Sequence, residues 1–182
     1  MKSCSNRWGS WAILGGACLV AACSPVFNWR DAQVGSALTA LLPCKPDRAM
    51  RTLALADGGK ITLNMTGCGA GDATFAIAEA DADNAAQAGQ WLAAWQAATR
   101  AQWLGARLTE TAAAVPGAAT SPGAVRLEIA GGAAPGRPSQ AQLVWFARAT
   151  GSGRVALFQA MVLGKPSEVE AVSTFFEGLR LH

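Results

Sequence analysis

Residues 52–66 have the sequence Thr52-Leu-Ala-Leu-Ala-Asp-Gly-Gly-Lys-Ile-Thr-Leu-Asn-Met-Thr66, which predicts a β-hairpin. Apolar side chains alternate along its two arms, Thr52–Ala56 and Lys60–Thr66, as one buried face of a sheet requires. Asp57-Gly58-Gly59 between the arms has the composition of a hairpin turn. The stretch therefore indicates an antiparallel sheet with one face against a core.

Further strands are predicted on both sides of this hairpin. Upstream, Asp31–Leu42 fits either an opening strand or a short helix. Downstream, a glycine-rich turn around Cys68 precedes a run of strands. These predicted strands are Ala73–Glu79, Val125–Ala130, Ala141–Ala149 and Gly153–Leu163. With the helices described next, the order predicts an α+β fold, a mainly antiparallel sheet of about six strands packed with a central and a C-terminal helix.

Two helices are predicted between and after these strands. Ala85–Ala106 is rich in strong helix formers and predicts the central helix. Thr111–Gly123, rich in Ala, Pro, Gly, Ser and Thr, predicts a mobile loop. Ser167 and Glu170 have capping-box spacing at the start of the C-terminal helix. The apolar face of that helix consists of Val172, Phe175, Phe176 and Leu179.

Three tryptophans, Trp91, Trp95 and Trp103, fall on one side of the central helix. One interpretation is that they pack the helix onto the sheet, each burying about 150–250 Å². The other is that they form a face for a small apolar or sugar ligand, with Trp145 as a further candidate. We favour core packing and keep the ligand face as the alternative.

The N-terminus has the layout of a secretory signal. Lys2 and Arg7 are followed by the apolar run Trp11–Ala22, and small residues precede Cys23. The apolar run is shorter than the roughly 20 residues that span a bilayer. A transmembrane helix is therefore not expected here, whereas a cleaved signal without lipid is a second possibility.

Val20-Ala-Ala-Cys23 resembles the lipobox of bacterial lipoproteins, in which the cysteine receives a diacylglyceryl group and becomes the first residue. The resemblance implies a signal peptide over 1–22, lipidation at Cys23 and anchoring by at least two acyl chains. Because Ser24 rather than aspartate follows the cysteine, it also implies an outer-membrane location facing the periplasm. Residues 23–30 are then a tether and residues 31–182 a single α+β domain.

Signal removal changes the charge and the cysteine count. Lys2 and Arg7 leave with the signal, so the 15 basic residues fall to 13 against 12 acidic ones, and no nucleic-acid partner is expected. Two of the five cysteines are also discarded and Cys23 carries the lipid. Cys44 and Cys68 remain as a pair in an oxidising compartment, where we expect a disulfide. A catalytic thiol at Cys68 is the less favoured alternative.

The mature chain also resembles the PsbP-like family of small α+β domains. The resemblance rests on the proline-flanked segment Leu42-Pro43-Cys44-Lys45-Pro46, the late strand Gly153-Arg154-Val155-Ala156-Leu157 and the ending Phe175-Phe176-Glu177-Gly178-Leu179-Arg180-Leu181. It implies an antiparallel sheet flanked by helices and a role in binding or assembly with other proteins. It implies no activity.

Catalytic chemistry is not indicated by the sequence. The single histidine is the terminal His182, so a Ser-His-Asp triad is not expected. Glu79, Asp81 and Asp83 lie close together, but we interpret them as a solvated acidic turn before the central helix rather than as a metal site. No metal or other cofactor is predicted, and the chain is not expected to be an enzyme.

The sequence therefore predicts a lipid-anchored, periplasm-facing envelope lipoprotein with a non-catalytic binding or assembly domain. Its expected partners are the membrane, through the N-terminal lipid, and an unidentified envelope protein. A small-ligand carrier or sensor using the tryptophan face is the alternative. An envelope hydrolase is a third possibility and would need a carboxylate pair in a cleft.

Overall fold

The computed structural model describes residues 25–55, 58–132 and 138–182, which form ten β-strands and two α-helices. The first half contains β1 (Arg30–Val34), β2 (Leu38–Leu42), β3 (Asp47–Ala54), β4 (Lys60–Ala70), β5 (Ala73–Ala82) and α1 (Ala85–Ala101). The second half contains β6 (Arg107–Ala112), β7 (Val125–Ala130), β8 (Gln140–Ala149), β9 (Val155–Gly164), α2 (Glu170–Glu177) and β10 (Leu179–Leu181). The predicted signal peptide and the predicted lipidation site Cys23 lie outside the described residues.

The strands form two antiparallel sheets. The large sheet has seven strands in the order β3-β4-β5-β9-β8-β7-β6, and the small sheet has the order β1-β2-β10. The predicted α+β class is confirmed, but the prediction of about six strands is wrong, because the described residues contain ten. The stretch 31–42, left open between strand and helix, forms most of the β1–β2 hairpin.

Each face of the large sheet covers its own hydrophobic core. On β5, Phe75 and Ile77 point to the core shared with β1, β2, β10 and α2. The alternate residues Ala76 and Ala78 point to the other core, which α1 covers with Trp95. The period-2 alternation of a strand therefore divides the molecule into three layers, with α1 on one side and the small sheet with α2 on the other.

The hairpin that was predicted first is confirmed as β3 and β4, and both strands are longer than expected. β4 continues through the glycines that were predicted to form a turn, and the chain reverses only at Gly71 and Asp72. A side chain at Gly67 would collide with the neighbouring strand, because its Cβ would lie 2.6 Å from the carbonyl oxygen of Phe75. This glycine therefore serves close strand packing rather than a turn.

Phe27 ties the segment before β1 to the domain. Its side chain is buried and stacks with Trp29 at 6.0 Å between ring centroids. It meets Phe75 edge to face, and the backbone N–H of Asn28 donates to the carbonyl of Pro43. The part of the predicted tether from Phe27 to Arg30 thus lies against the domain.

The helix boundaries differ in detail from the predictions. Asn84 caps α1 by accepting a hydrogen bond from the backbone N–H of Gln87, and the helix ends at Ala101 rather than at position 106. The predicted capping box is wrong, because α2 begins at Glu170 without a side-chain cap. The backbone N–H of Ser167 instead donates to the carbonyl of Gly71. On the predicted apolar face, Phe175 of α2 is fully buried and Val172 and Phe176 pack against the same core, whereas Leu179 lies beyond the helix in β10.

The segment predicted as a mobile loop is partly a strand. Its first residues, Thr111 and Ala112, belong to the edge strand β6. The remainder is attached by a backbone hydrogen bond from Ala119 to Ala147 and by the Arg148 guanidinium, which donates to the carbonyl of Gly117. Within the described ranges, no helix has the length and apolar character needed to cross a membrane.

A candidate binding pocket at Glu79

The predicted cysteine pair is present as a disulfide. Cys44 and Cys68 are bonded, with their Cα atoms 6.0 Å apart, so the segment before β3 is joined to β4. This bond leaves no free thiol at either position, and the catalytic alternative for Cys68 is wrong. The pair holds the beginning of β3, which is an edge strand with a single neighbour in the sheet.

The tryptophans of α1 lie mainly in the core. Trp95 and Trp103 are 3% and 7% exposed, and Trp91 is half-buried against the same cluster. None of the three is a lining residue of the Glu79-side cavity described below or of three further cavities on the described residues. Trp145 is also buried, on the sheet beneath the helix. The burial of these side chains agrees with the interpretation that they pack α1 onto the sheet.

The acidic group before α1 contains one residue, Glu79, for which the prediction of a solvated side chain is wrong. Asp81 and Asp83 are exposed as expected, but Glu79 is only 4% exposed. It lies on β5, two residues beyond Ile77 on the same side of the strand. A glutamate that continues an alternating apolar pattern was the signal that could have identified it. Among the described residues, no group of three His, Cys, Asp or Glu side chains could hold a metal ion.

Glu79 forms one wall of an open cavity of about 500 Å³. The cavity lies between the β1–β2 turn and the outer strands β3 and β4 of the large sheet. We call it the Glu79 pocket, and its remaining lining residues are Gly35, Arg48, Ala49, Met50, Asn64, Met65 and Thr66. Its volume is within the range of about 300–1,000 Å³ that small-molecule sites occupy.

The strand register explains why these side chains converge. Asn64 of β4 is directly opposite Glu79 of β5, and Met50 of β3 is directly opposite Asn64. Directly opposed residues share a face of the sheet. Arg48 and Thr66 form the next such pair along β3 and β4. The pocket floor is thus built from consecutive cross-strand pairs.

The β1–β2 turn closes the pocket over Glu79. Gly35 has a φ of +56°, and a Cβ at this position would lie 1.6 Å from Glu79 Oε1. The backbone at position 35 therefore touches the carboxyl group. Gln33 fixes the turn, because its Nε2 donates to the Gly35 carbonyl at 3.1 Å and its own carbonyl accepts from Arg48 Nη2 at 3.0 Å.

The carboxyl group of Glu79 has an unusual environment. Burial raises the pKa of Glu79 to about 6 from an ordinary value of 4.5, and the Asp81 carboxylate adds to the rise. Within the described ranges, no hydrogen bond or ion pair reaches the Glu79 carboxylate, and the nearby Arg48 donates to Gln33 instead. A mostly buried acid with a raised pKa in a cavity is a candidate functional group.

The comparisons with protein-family models and with curated proteins give no match. The architecture and the pocket define an α+β domain with a candidate binding site. Glu79 is the one carboxyl group among the residues that line this pocket, so the pocket does not provide the carboxylate pair that the hydrolase alternative needs. The polar side-chain groups on its lining are a carboxylate, an amide, a hydroxyl and a guanidinium.

Proposed function

We propose that this chain is a lipid-anchored, periplasm-facing envelope protein whose non-catalytic domain binds another envelope molecule at the Glu79 pocket. The observation that carries the proposal is the unpaired Glu79 carboxyl group in a cavity of about 500 Å³. Buried charges are normally paired, so an unpaired one at a cavity wall suits a partner that supplies the missing contact.

The sequence supports the anchoring part of the proposal. The lipobox-like Val20–Cys23 ends a short distance before Phe27, which is packed against the domain. The resemblance to PsbP-like domains supports binding rather than catalysis. The charge balance of the mature chain and the disulfide are both compatible with export to the periplasm.

The rim of the pocket is suited to a protein partner. Met50 is 77% exposed there, on the edge strand β3. An exposed methionine gives a flexible apolar contact that adapts to different surfaces. A partner that contacts Met50 would also reach the mouth of the cavity in which Glu79 lies.

The test is site-specific photocrosslinking in intact cells that produce the full chain. A photoreactive residue at Met50 is expected to form a discrete adduct, and Glu79→Gln in the same chain is expected to remove it. Leu104, which is 83% exposed and does not line the pocket, is the matched control position. The proposal is overturned if both positions capture the same proteins, if Met50 captures nothing, or if the adduct persists with Glu79→Gln.

A further inference from the structure

We propose that the Glu79 pocket binds a hydrogen-bond-donating cation, either a protonated amine or a guanidinium group, through the Glu79 carboxylate. This inference rests on the proposed function and names the chemistry that the pocket would recognise. It starts from two geometric facts. The Glu79 side chain is 4% exposed and unpartnered among the described residues, and it forms a wall of a cavity of about 500 Å³.

An ionised carboxylate offers only acceptors, so its missing partner must be a donor. A cationic donor satisfies the hydrogen bonds and the charge together, and such charge-assisted bonds are roughly twice as strong as neutral ones. Asn64 and Thr66 line the same cavity and provide an amide oxygen and a hydroxyl oxygen for the remaining N–H groups. An anionic ligand would instead face the carboxylate directly and be repelled by it.

Among the residues that the structure describes, no cation of the protein is paired with Glu79. Arg48 lines the pocket, but its Nη2 donates to the carbonyl of Gln33 at 3.0 Å. Arg154 lies on the other side of Asp81, at 4.0 Å from its Oδ2. Neither guanidinium forms an ion pair with Glu79. The place next to the carboxylate is therefore open to an external donor.

The glycine at position 35 makes the carboxylate selective for a small donor group. Its backbone touches Glu79 Oε1, since a Cβ there would lie 1.6 Å from that atom. One side of the carboxyl group is thus blocked by the β1–β2 turn, and a ligand approaches from the cavity side only. A terminal ammonium or guanidinium group on an extended chain fits this approach.

Two ligand sources share this chemistry. One is a lysine or arginine side chain of a partner protein, and the other is a small free amine. The test therefore uses n-butylamine and the peptide acetyl-Gly-Lys-Gly-Arg-Gly-amide, which carries both an ammonium and a guanidinium group, as cationic probes. Butyramide, which is neutral, and butyrate, which is anionic, are the matched comparison probes.

The experiment is a titration of the mature lipoprotein in neutral detergent at pH 7.5, followed by NMR shifts of the Asn64 and Thr66 amides. We expect either both cationic probes or the peptide alone to bind. Glu79→Gln is expected to weaken that binding by about tenfold to a hundredfold, because this is the change in affinity that corresponds to the loss of one hydrogen bond to a charged group. Glu128→Gln, at an exposed site on β7, is the matched control and is expected to change nothing.

Each outcome bears on the inference. Equal binding by the peptide and by n-butylamine identifies the amine itself as the recognised group, whereas binding by the peptide alone points to a partner's side chain. Stronger binding of butyramide or butyrate, or unchanged binding in Glu79→Gln, overturns the inference. Failure of both cationic probes while the Met50 adduct remains dependent on Glu79 overturns the inference and leaves the proposed function standing.

Discussion

Gly35 and Glu79, on different sheets, touch so closely that a Cβ at position 35 would fall 1.6 Å from Glu79 Oε1. The contact joins the β1–β2 turn to β5, an inner strand of the large sheet. It also covers one side of the Glu79 carboxyl group. The pocket consequently depends on the absence of a side chain at one position of a three-residue turn.

Gly35→Ala is expected to destabilise the protein more than a comparable glycine substitution elsewhere. An alanine at φ +56° costs about 1–3 kcal/mol as backbone strain, and here its methyl group also collides with Glu79. Gly105→Ala is the matched control, because Gly105 has a φ of +82° and nothing lies within 4 Å of its Cβ position. Urea unfolding measures both variants. Equal losses of stability would show that the Gly35–Glu79 contact is not tight.

Glu79 is expected to make the folded state less stable at neutral pH than in mild acid. Its pKa is raised to about 6 in the folded protein from 4.5, so protonation favours folding. This contribution is complete below about pH 4.5 and is lost as the pH rises through about 6, and the shift corresponds to about 1–2 kcal/mol. Glu79→Gln is therefore expected to be the more stable protein at pH 7.5 and to show a flatter stability profile. The check is urea unfolding between pH 4 and pH 8, with Glu128→Gln as control. The assigned role of Glu79 would be ruled out if the free energy of unfolding of the wild type rose between pH 4 and pH 8 and if Glu79→Gln and Glu128→Gln showed the same rise.

Removal of the disulfide is expected to destabilise the domain by about 3–4 kcal/mol, the chain-entropy value for a loop of this size. The bond links positions separated by 24 residues and attaches the start of the edge strand β3 to β4. The double variant Cys44→Ser/Cys68→Ser tests the effect by urea unfolding. Hydrogen exchange is expected to accelerate first in β3, which carries Arg48 and Met50. Unaltered exchange in β3 would show that the bond does not hold this edge.

Trp95 and Trp91 provide a test of core packing against ligand binding. Trp95→Ala is expected to cost about 3–5 kcal/mol, the usual value for removing a buried large aromatic side chain. Trp91→Ala is expected to cost clearly less, because Trp91 is half-buried whereas Trp95 is 3% exposed. Both variants keep α1 and are compared by urea unfolding. If neither substitution changed stability, the tryptophans would be serving a ligand rather than the core.

Cys23→Ser is expected to release the chain from the membrane. The substitution removes the thiol that the lipobox resemblance assigns to acylation, and stable anchoring requires those acyl chains. Cell fractionation and radiolabelled palmitate incorporation measure the outcome. Cys18→Ser is the matched control, because this cysteine lies in the signal peptide. Label retained in Cys23→Ser would place the modification elsewhere.

The alternating segments were predictable because their pattern is local. Leu53 to Met65 encode the β3–β4 hairpin through period-2 alternation and a turn of suitable composition, and they form it. The edge strand β6 was missed, because all six of its side chains are exposed and no apolar alternation marks it. The local sequence predicts a turn at the glycines after Met65. The close approach of Gly67 to β5 depends on a neighbouring strand that the local sequence does not specify.

The pocket was not predictable either, because it depends on contacts between distant segments that the local sequence does not specify. Gly35, Arg48 and Glu79 come from three separate parts of the chain, and register and layer packing bring them together. The composition around Glu79 is acidic, so the local sequence favours a solvated turn. The β1–β2 turn, which comes from a distant part of the chain, lies against the carboxyl group of this residue. The cysteine pair, by contrast, could be predicted from the oxidising compartment that the N-terminal signal indicates and from the two cysteines that remain after signal removal and lipidation.

The docking of Phe27 has a consequence for where a partner can be met. In the proposed lipid-anchored form, only positions 24–26 separate Cys23 from this buried side chain, and the chain between the two residues spans at most about 14 Å. Phe27 packs against Gly71 at one end of β5, and Glu79 lies four residues beyond Phe75, about 13 Å further along the strand. The binding site would then lie close to the bilayer, and a partner that is itself anchored in the membrane would be met by lateral diffusion in two dimensions rather than by a search of the periplasmic volume.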